Sequence, residues 1–252
     1  MSDQHYNSLD IPLLKPSEKV KLLVGTLTSR AYILPRNTLC FYSPWLRTFI
    51  KSSPLPHDGT IVLRYFEPAE FDVFVAWMNY ETDSLASYHQ RGAELIQYIQ
   101  VQDTEGVHLA WKVWSLANRM GGACVSLRDE CMKFLYKEYM ETAPRGRFLY
   151  ITPGVAMYVF SQDDVDDLRH FVLNCLARDG MLKGHAVGPL IAWESVLLKL
   201  PWLARFMANG CKSAREKGYV EVKSLDWYLS KLGKITPNGV KQKVPWSDKL
   251  VA

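Results

Sequence analysis

The side chains best suited to chemistry in this 252-residue chain are an acidic run, six histidines and five cysteines. The run is Ser161-Gln162-Asp163-Asp164-Val165-Asp166-Asp167. Its four carboxylates could hold a cation, but it lacks the glycine and terminal glutamate of a calcium loop. Acidic residues at a helix start are favoured by the helix dipole alone, so the run is read as the opening of a helix. His5, His57, His89, His108, His170 and His185 show no HxxxH or Cys/His spacing, and a zinc site would need them to meet in space. His170 falls one position from a predicted apolar stripe. Cys40, Cys124, Cys131, Cys175 and Cys211 are odd in number, widely spaced and without a CxxC pair. That pattern argues against a disulfide framework and predicts reduced, mostly buried thiols. Arg145-Gly146-Arg147 could touch a phosphate, though two arginines in a loop are commonplace. There is no Gly-x-Ser-x-Gly, P-loop or GxGxxG. No catalytic, metal-binding or cofactor-binding residue is assigned, and a non-enzymatic protein is expected.

Eight tryptophans are the remaining conspicuous residues. Trp45 and Trp77 fall in predicted core elements. Trp111 and Trp114 lie beside the stripe of their helix; core is the expected role for most of the eight, and exposure of one of these two as an interface anchor is the alternative reading.

The elements that must carry these residues follow from periodicity. Val20–Val24 reads as a strand, with Val20, Leu22 and Val24 on one face. Gly25 opens a tight connection, and Ala31–Leu34 reads as the hairpin partner. Pro35–Phe41 is helix-compatible. Ser43-Pro44 is a helix start, with serine as N-cap and proline at the first helical position. Thr60–Leu63 is a third strand. Phe66-Glu67-Pro68 then leads into a helix over about 68–80 whose stripe is Phe71, Phe74, Val75 and Met78. Residues 82–106 read as a long connection with one helical or extended turn. Leu109, Val113, Leu116, Ala117 and Met120 form the next stripe, stopped by Gly121-Gly122. Leu127, Cys131, Phe134 and Leu135 make another, widened by Met132, Tyr136 and Tyr139, which predicts burial on two sides. Thr152-Pro153 starts a short helix to Phe160. A helix opening at the acidic run carries Leu168, Phe171, Val172 and Cys175 and is expected to end at Gly180. Leu190–Ala208 should be helical with a break at Pro201, and Ser224–Leu232 a last short helix.

The order strand, strand, helix, Ser-Pro-aromatic helix, strand, Phe-Glu-Pro helix and two more helices resembles the BTB/POZ domain. The residues carrying the resemblance are Val20–Gly25, Leu39…Ser43-Pro44-Trp45-Leu46…Phe49, Ile61-Val62-Leu63…Phe66-Glu67-Pro68…Phe71…Phe74…Trp77-Met78…Tyr80, and Leu116-Ala117-Asn118-Arg119-Met120. Ile151–Phe160 and Leu168–Phe171 are similar to the helical half of BTB proteins of filamentous fungi. The resemblance implies an α+β fold: a lead-in over 1–16, a BTB/POZ domain over 17–142, a C-terminal helical extension over 143–235 and a basic tail over 236–252. It also implies protein–protein interaction, with homodimerisation through the first strand and first helices. An adaptor or scaffold is the leading expectation, one version being a substrate adaptor between a cullin-type ubiquitin ligase and a client protein. Two features depart from the family. Lys19 and Pro35 stand where BTB transcription factors carry an aspartate before the first strand and a histidine at the head of the first helix. The 82–106 connection is also longer than the compact version, so cullin binding is not carried over by the resemblance alone.

Composition bounds these expectations. With 48% hydrophobic and 22% charged residues the chain is ordinary for a globular protein. It has no apolar run of membrane-spanning length, no secretory core at its N-terminus and no Asn-x-Ser/Thr acceptor, so the cytoplasm and/or nucleus is expected. From Lys199 onward eleven Lys/Arg stand against four Asp/Glu, leaving +7 there and −3 elsewhere. A transcriptional regulator whose basic end contacts nucleic acid is therefore the alternative function.

Overall fold

The computed structural model describes residues 18–26, 28–52, 60–82, 95, 97–104, 106–141, 150–183, 190–217 and 225–232. Among these the protein is α+β, with one three-stranded sheet and otherwise helices. The chain divides into two units, Met1–Ile99 with Leu116–Leu127, and Gln100–Ser115 with Arg128–Ala252. No helix among the described residues is long and apolar enough to cross a membrane.

In the first unit, β1 (Lys19–Val24) pairs antiparallel with β2 (Arg30–Pro35) and parallel with β3 (Thr60–Leu63), giving the order β2-β1-β3. Alternation sorts the sheet faces. Val20, Leu22, Val24, Ile61 and Leu63 are buried on one face, while Lys19, Lys21, Ile33 and Val62 are exposed on the other. The hairpin turns at Gly25, whose φ of +115° suits glycine. Its N–H donates to the Leu63 carbonyl at 3.2 Å.

A parallel pair needs a crossover, and α1 (Arg36–Tyr42) and α2 (Pro44–Ser52) supply it. Ser43 separates them. Its Oγ accepts from the Leu46 N–H at 3.0 Å, as an N-cap should, and donates to the Met120 carbonyl at 3.0 Å. Leu39, Tyr42, Leu46 and Ile50 face the core.

Helix α3 (Pro68–Thr82) begins at its proline. Phe71, Phe74 and Met78 are buried as their spacing predicts, but Val75 is only half-buried. Val73 and Trp77, four residues apart, form a second buried row. The helix is thus covered over a wider arc than one stripe. Tyr32 meets Phe71 edge-on at 4.8 Å, and Tyr42 meets Trp77 at 5.2 Å.

Within the 82–106 connection the described residues include a helical piece at 97–99 and an antiparallel bridge between Gln102 and His108. Two helices follow, α4 (Leu109–Met120) and α5 (Val125–Tyr139). Gly121 and Gly122, at φ +66° and +57°, end α4, and a 3-10 turn over Gly122–Cys124 opens α5. Residues 116–127 of this pair belong to the first unit.

The second unit continues with α6 (Pro153–Ser161), α7 (Asp166–Lys183), α8 (Leu190–Lys199), α9 (Pro201–Lys217) and α10 (Leu225–Leu232). Thr152 caps α6, its Oγ1 accepting from Val155 N–H at 3.2 Å. The break at Pro201 is as predicted: α8 stops at Lys199, and proline, lacking an N–H, starts α9. Two expectations need correction. Helix α7 starts at Asp166, and Asp163 and Asp164 lie in the preceding turn, Asp164 at φ 57°. Gly180 does not end α7, which runs to Lys183. An interior glycine costs only about 1 kcal/mol relative to alanine, less than the burial of Leu168, Phe171, Val172 and Cys175 on the same helix supplies.

The core of this unit is aromatic. Trp111 lies 5.3 Å from Tyr139 and 5.7 Å from Phe171, and Tyr228 of α10 meets Phe171 edge-on at 5.3 Å. Trp111 and Trp114 are both buried, the core role expected for most of the tryptophans, and neither is an exposed anchor. The reason is that α4 is enclosed nearly all round: Ala110, Val113, Leu116, Ala117 and Met120 are buried with them.

Candidate interaction surface

Among the described residues, the groups singled out for chemistry form no metal-binding cluster. Asp166 pairs with Arg169 at 3.1 Å, and Arg169 also reaches the Gln162 carbonyl, so the acidic run is tied into the start of α7. His170 is half-buried on that helix. His108 is buried, its Nδ1 2.9 Å from the Gln100 carbonyl and its Nε2 2.6 Å from the Gln102 side-chain amide. Burial lowers its pKa, opposed by the Gln100 hydrogen bond and the charge of Glu138. Cys124, Cys131 and Cys175 are buried, Cys40 is half-buried, and none of the four is in a disulfide. Burial pushes the Cys124 thiol up to about 12 and Cys131 up as well, which withholds the reactive thiolate. No group of three or more His, Cys, Asp or Glu among the described residues could hold a metal ion. His5, His57, His89, His185, Arg145, Arg147, the side chain of Cys211 and the basic tail over 236–252 lie outside the described residues.

What the first unit does present is a surface. On the open sheet face Leu23 stands between Ala31 and Val62, and Lys21 stands between Ile33 and Thr60. Ile33 is 65% exposed and Val62 42%. Phe41 of α1 adds an exposed ring. Ionic contacts frame the sheet at both ends. Arg30 pairs with Asp72, and the Tyr32 hydroxyl lies 2.8 Å from Asp72 Oδ1 and 3.0 Å from the Pro68 carbonyl. Burial, then the hydrogen bond to Asp72, pushes the Tyr32 phenol up to about 12. At the other end Arg36 Nη1 lies 3.4 Å from Glu18 Oε2, and the Arg36 N–H donates to the Glu18 carbonyl at 2.9 Å. A charged pair thus does stand before the first strand and at the head of the first helix. It is made by the residues one place before Lys19 and one after Pro35, and it is solvent-exposed. Sequence reasoning missed it because a one-residue shift at either element end is within the uncertainty of element boundaries.

The open sheet face thus carries exposed apolar side chains beside exposed lysines. Comparison with family models, with curated proteins and with solved structures finds no match.

Proposed function

We propose that the first unit is a BTB/POZ-type interaction domain and that the chain is a dimeric adaptor or scaffold. The observation that carries this reading is the element order β1-β2-α1-α2-β3-α3 followed by α4 and α5, with Ser43-Pro44 opening α2 and Phe66-Glu67-Pro68 opening α3. That is the order on which the family resemblance rests. The apolar strip of Leu23, Ala31, Ile33 and Val62, with Phe41 on α1, supports self-association through the first strands and first helix. One version of the role is substrate adaptor for a cullin-type ubiquitin ligase, with the helical second unit or the basic end meeting the client.

The test is light scattering on the full chain over a concentration series, alone and with a cullin N-terminal fragment. A dimer that takes up the fragment is the expected outcome. The variant Ile33→Asp should shift the chain to monomer, and since the side chain is exposed in the single chain the variant should still unfold cooperatively, with a melting temperature that no longer rises with concentration. A wild-type chain that stays monomeric at all concentrations sinks the dimer reading, and a dimer that ignores the fragment removes the ligase version while leaving the scaffold.

A further inference from the structure

We propose that the corner of the first unit where β3, α2 and the end of α4 meet is a docking surface for an acidic peptide segment of a partner protein, with Arg119 and Tyr65 as its anchors. A continuous ribbon of rings runs across this corner. Phe49 stacks on Trp45 at 5.1 Å, and Trp45 meets Phe66 edge-on at 5.7 Å. The Arg119 guanidinium then lies 5.8 Å from the Phe66 ring and 5.9 Å from the Tyr65 ring. Phe66 is buried, Trp45 and Phe49 are half-buried, and Tyr65 is 71% exposed.

A structural role explains part of this. A cation in the last turn of α4 complements the helix dipole, and a guanidinium over a buried ring adds to packing. It does not explain why the second ring facing Arg119 is left open to solvent. No carboxylate among the described residues lies within ion-pair distance of Arg119, and Arg64 beside Tyr65 is exposed and likewise without one. With both rings within 6 Å of its guanidinium, Arg119 is placed at the edge of the ribbon. Arginine, tyrosine and tryptophan are the residue types that dominate binding energies. Charge complementarity then selects a carboxylate against Arg119, and the half-buried faces of Trp45 and Phe49 select apolar neighbours beside it. A nucleic-acid strand fits less well, because it needs a run of phosphate contacts, whereas a single carboxylate is enough to pair with Arg119. The inference stands whether or not the fold reading above holds.

The experiment selects short random displayed peptides on the full chain and measures binding of the most enriched peptide, fluorescein-labelled, by anisotropy. Enriched sequences should pair Asp or Glu with apolar or aromatic residues. Arg119→Gln and Tyr65→Ala should each weaken binding about tenfold, as loss of an anchor does, while Tyr65→Phe and the remote Lys137→Ala leave it unchanged. Tyr65→Ala should melt at the wild-type temperature, which separates lost binding from lost folding. Enriched peptides without acidic residues, or binding that survives Arg119→Gln, would overturn the proposal. So would a short uridine oligonucleotide that depends on Arg119 while acidic peptides fail to bind.

Discussion

Ser43 meets two demands with one oxygen. It caps α2 through the Leu46 N–H and reaches across 77 residues of sequence to the Met120 carbonyl. Ser43→Ala removes both bonds and leaves a buried carbonyl short of a partner. It should cost about 2–3 kcal/mol, measured as a fall in the urea midpoint without a change in slope. Gly122 is as constrained from the other side: at φ +57° an added Cβ would sit 2.5 Å from Pro44 Cδ. Gly122→Ala combines left-handed strain with that clash and should destabilise by roughly 1–3 kcal/mol, read by thermal melting. His108 makes the protein sensitive to acid. Its folded pKa lies below the unfolded value near 6.5, so the neutral ring contributes fully above that pH. Below it the unfolded chain binds the extra proton, and stability falls as pH drops toward the folded pKa. Melting temperature should decline as pH falls below about 6.5, and His108→Gln should flatten the decline. An NMR titration of the ring with a midpoint at or above 6.5 would contradict this.

At the scale of elements, local rules were legible wherever one face alone is buried. The alternation of Val20, Leu22 and Val24, the caps at Ser43 and Thr152, and the stop at Gly121-Gly122 all read directly from residue type and spacing. Where the stripes fell short, the cause is shared. Helices α3 and α4 are enclosed on more than one side, so Trp77, Trp111 and Trp114 are core although they fall off the predicted stripes. Periodicity reports one face and says nothing of a second neighbour. Gly180 misled because tertiary packing outweighs propensity. The candidate surface was less legible still: Arg119 is unremarkable in sequence, and only folding brings it 54 residues back along the chain to Tyr65. Element burial makes its own prediction. Trp111→Ala, at the centre of the aromatic cluster, should cost about 3–5 kcal/mol, whereas Trp45→Ala, half-buried at the ribbon, should cost clearly less. Equal losses in chemical denaturation would mean that the two sites are not distinguished by burial as described.

For the whole molecule, the order β2-β1-β3 makes the first strand in sequence the central strand in space, with the crossover α1–α2 between it and its parallel neighbour. The face left open by that sheet is where self-association is proposed. A chain ended at Ile99 keeps all three strands but lacks Leu116–Leu127 and with it the Met120 carbonyl. It should show poor amide dispersion by NMR, while a chain ended after Tyr139, where α5 is complete, should regain dispersed resonances from β1–β3. The connectivity behind that prediction has a practical side. The path leaves the first unit after Ile99, returns at Leu116 and leaves again after Leu127. Two modules spliced end to end would be joined by a single passage. Three passages, two of them inside continuous helices, mean that no single cut of the chain separates one unit from the other.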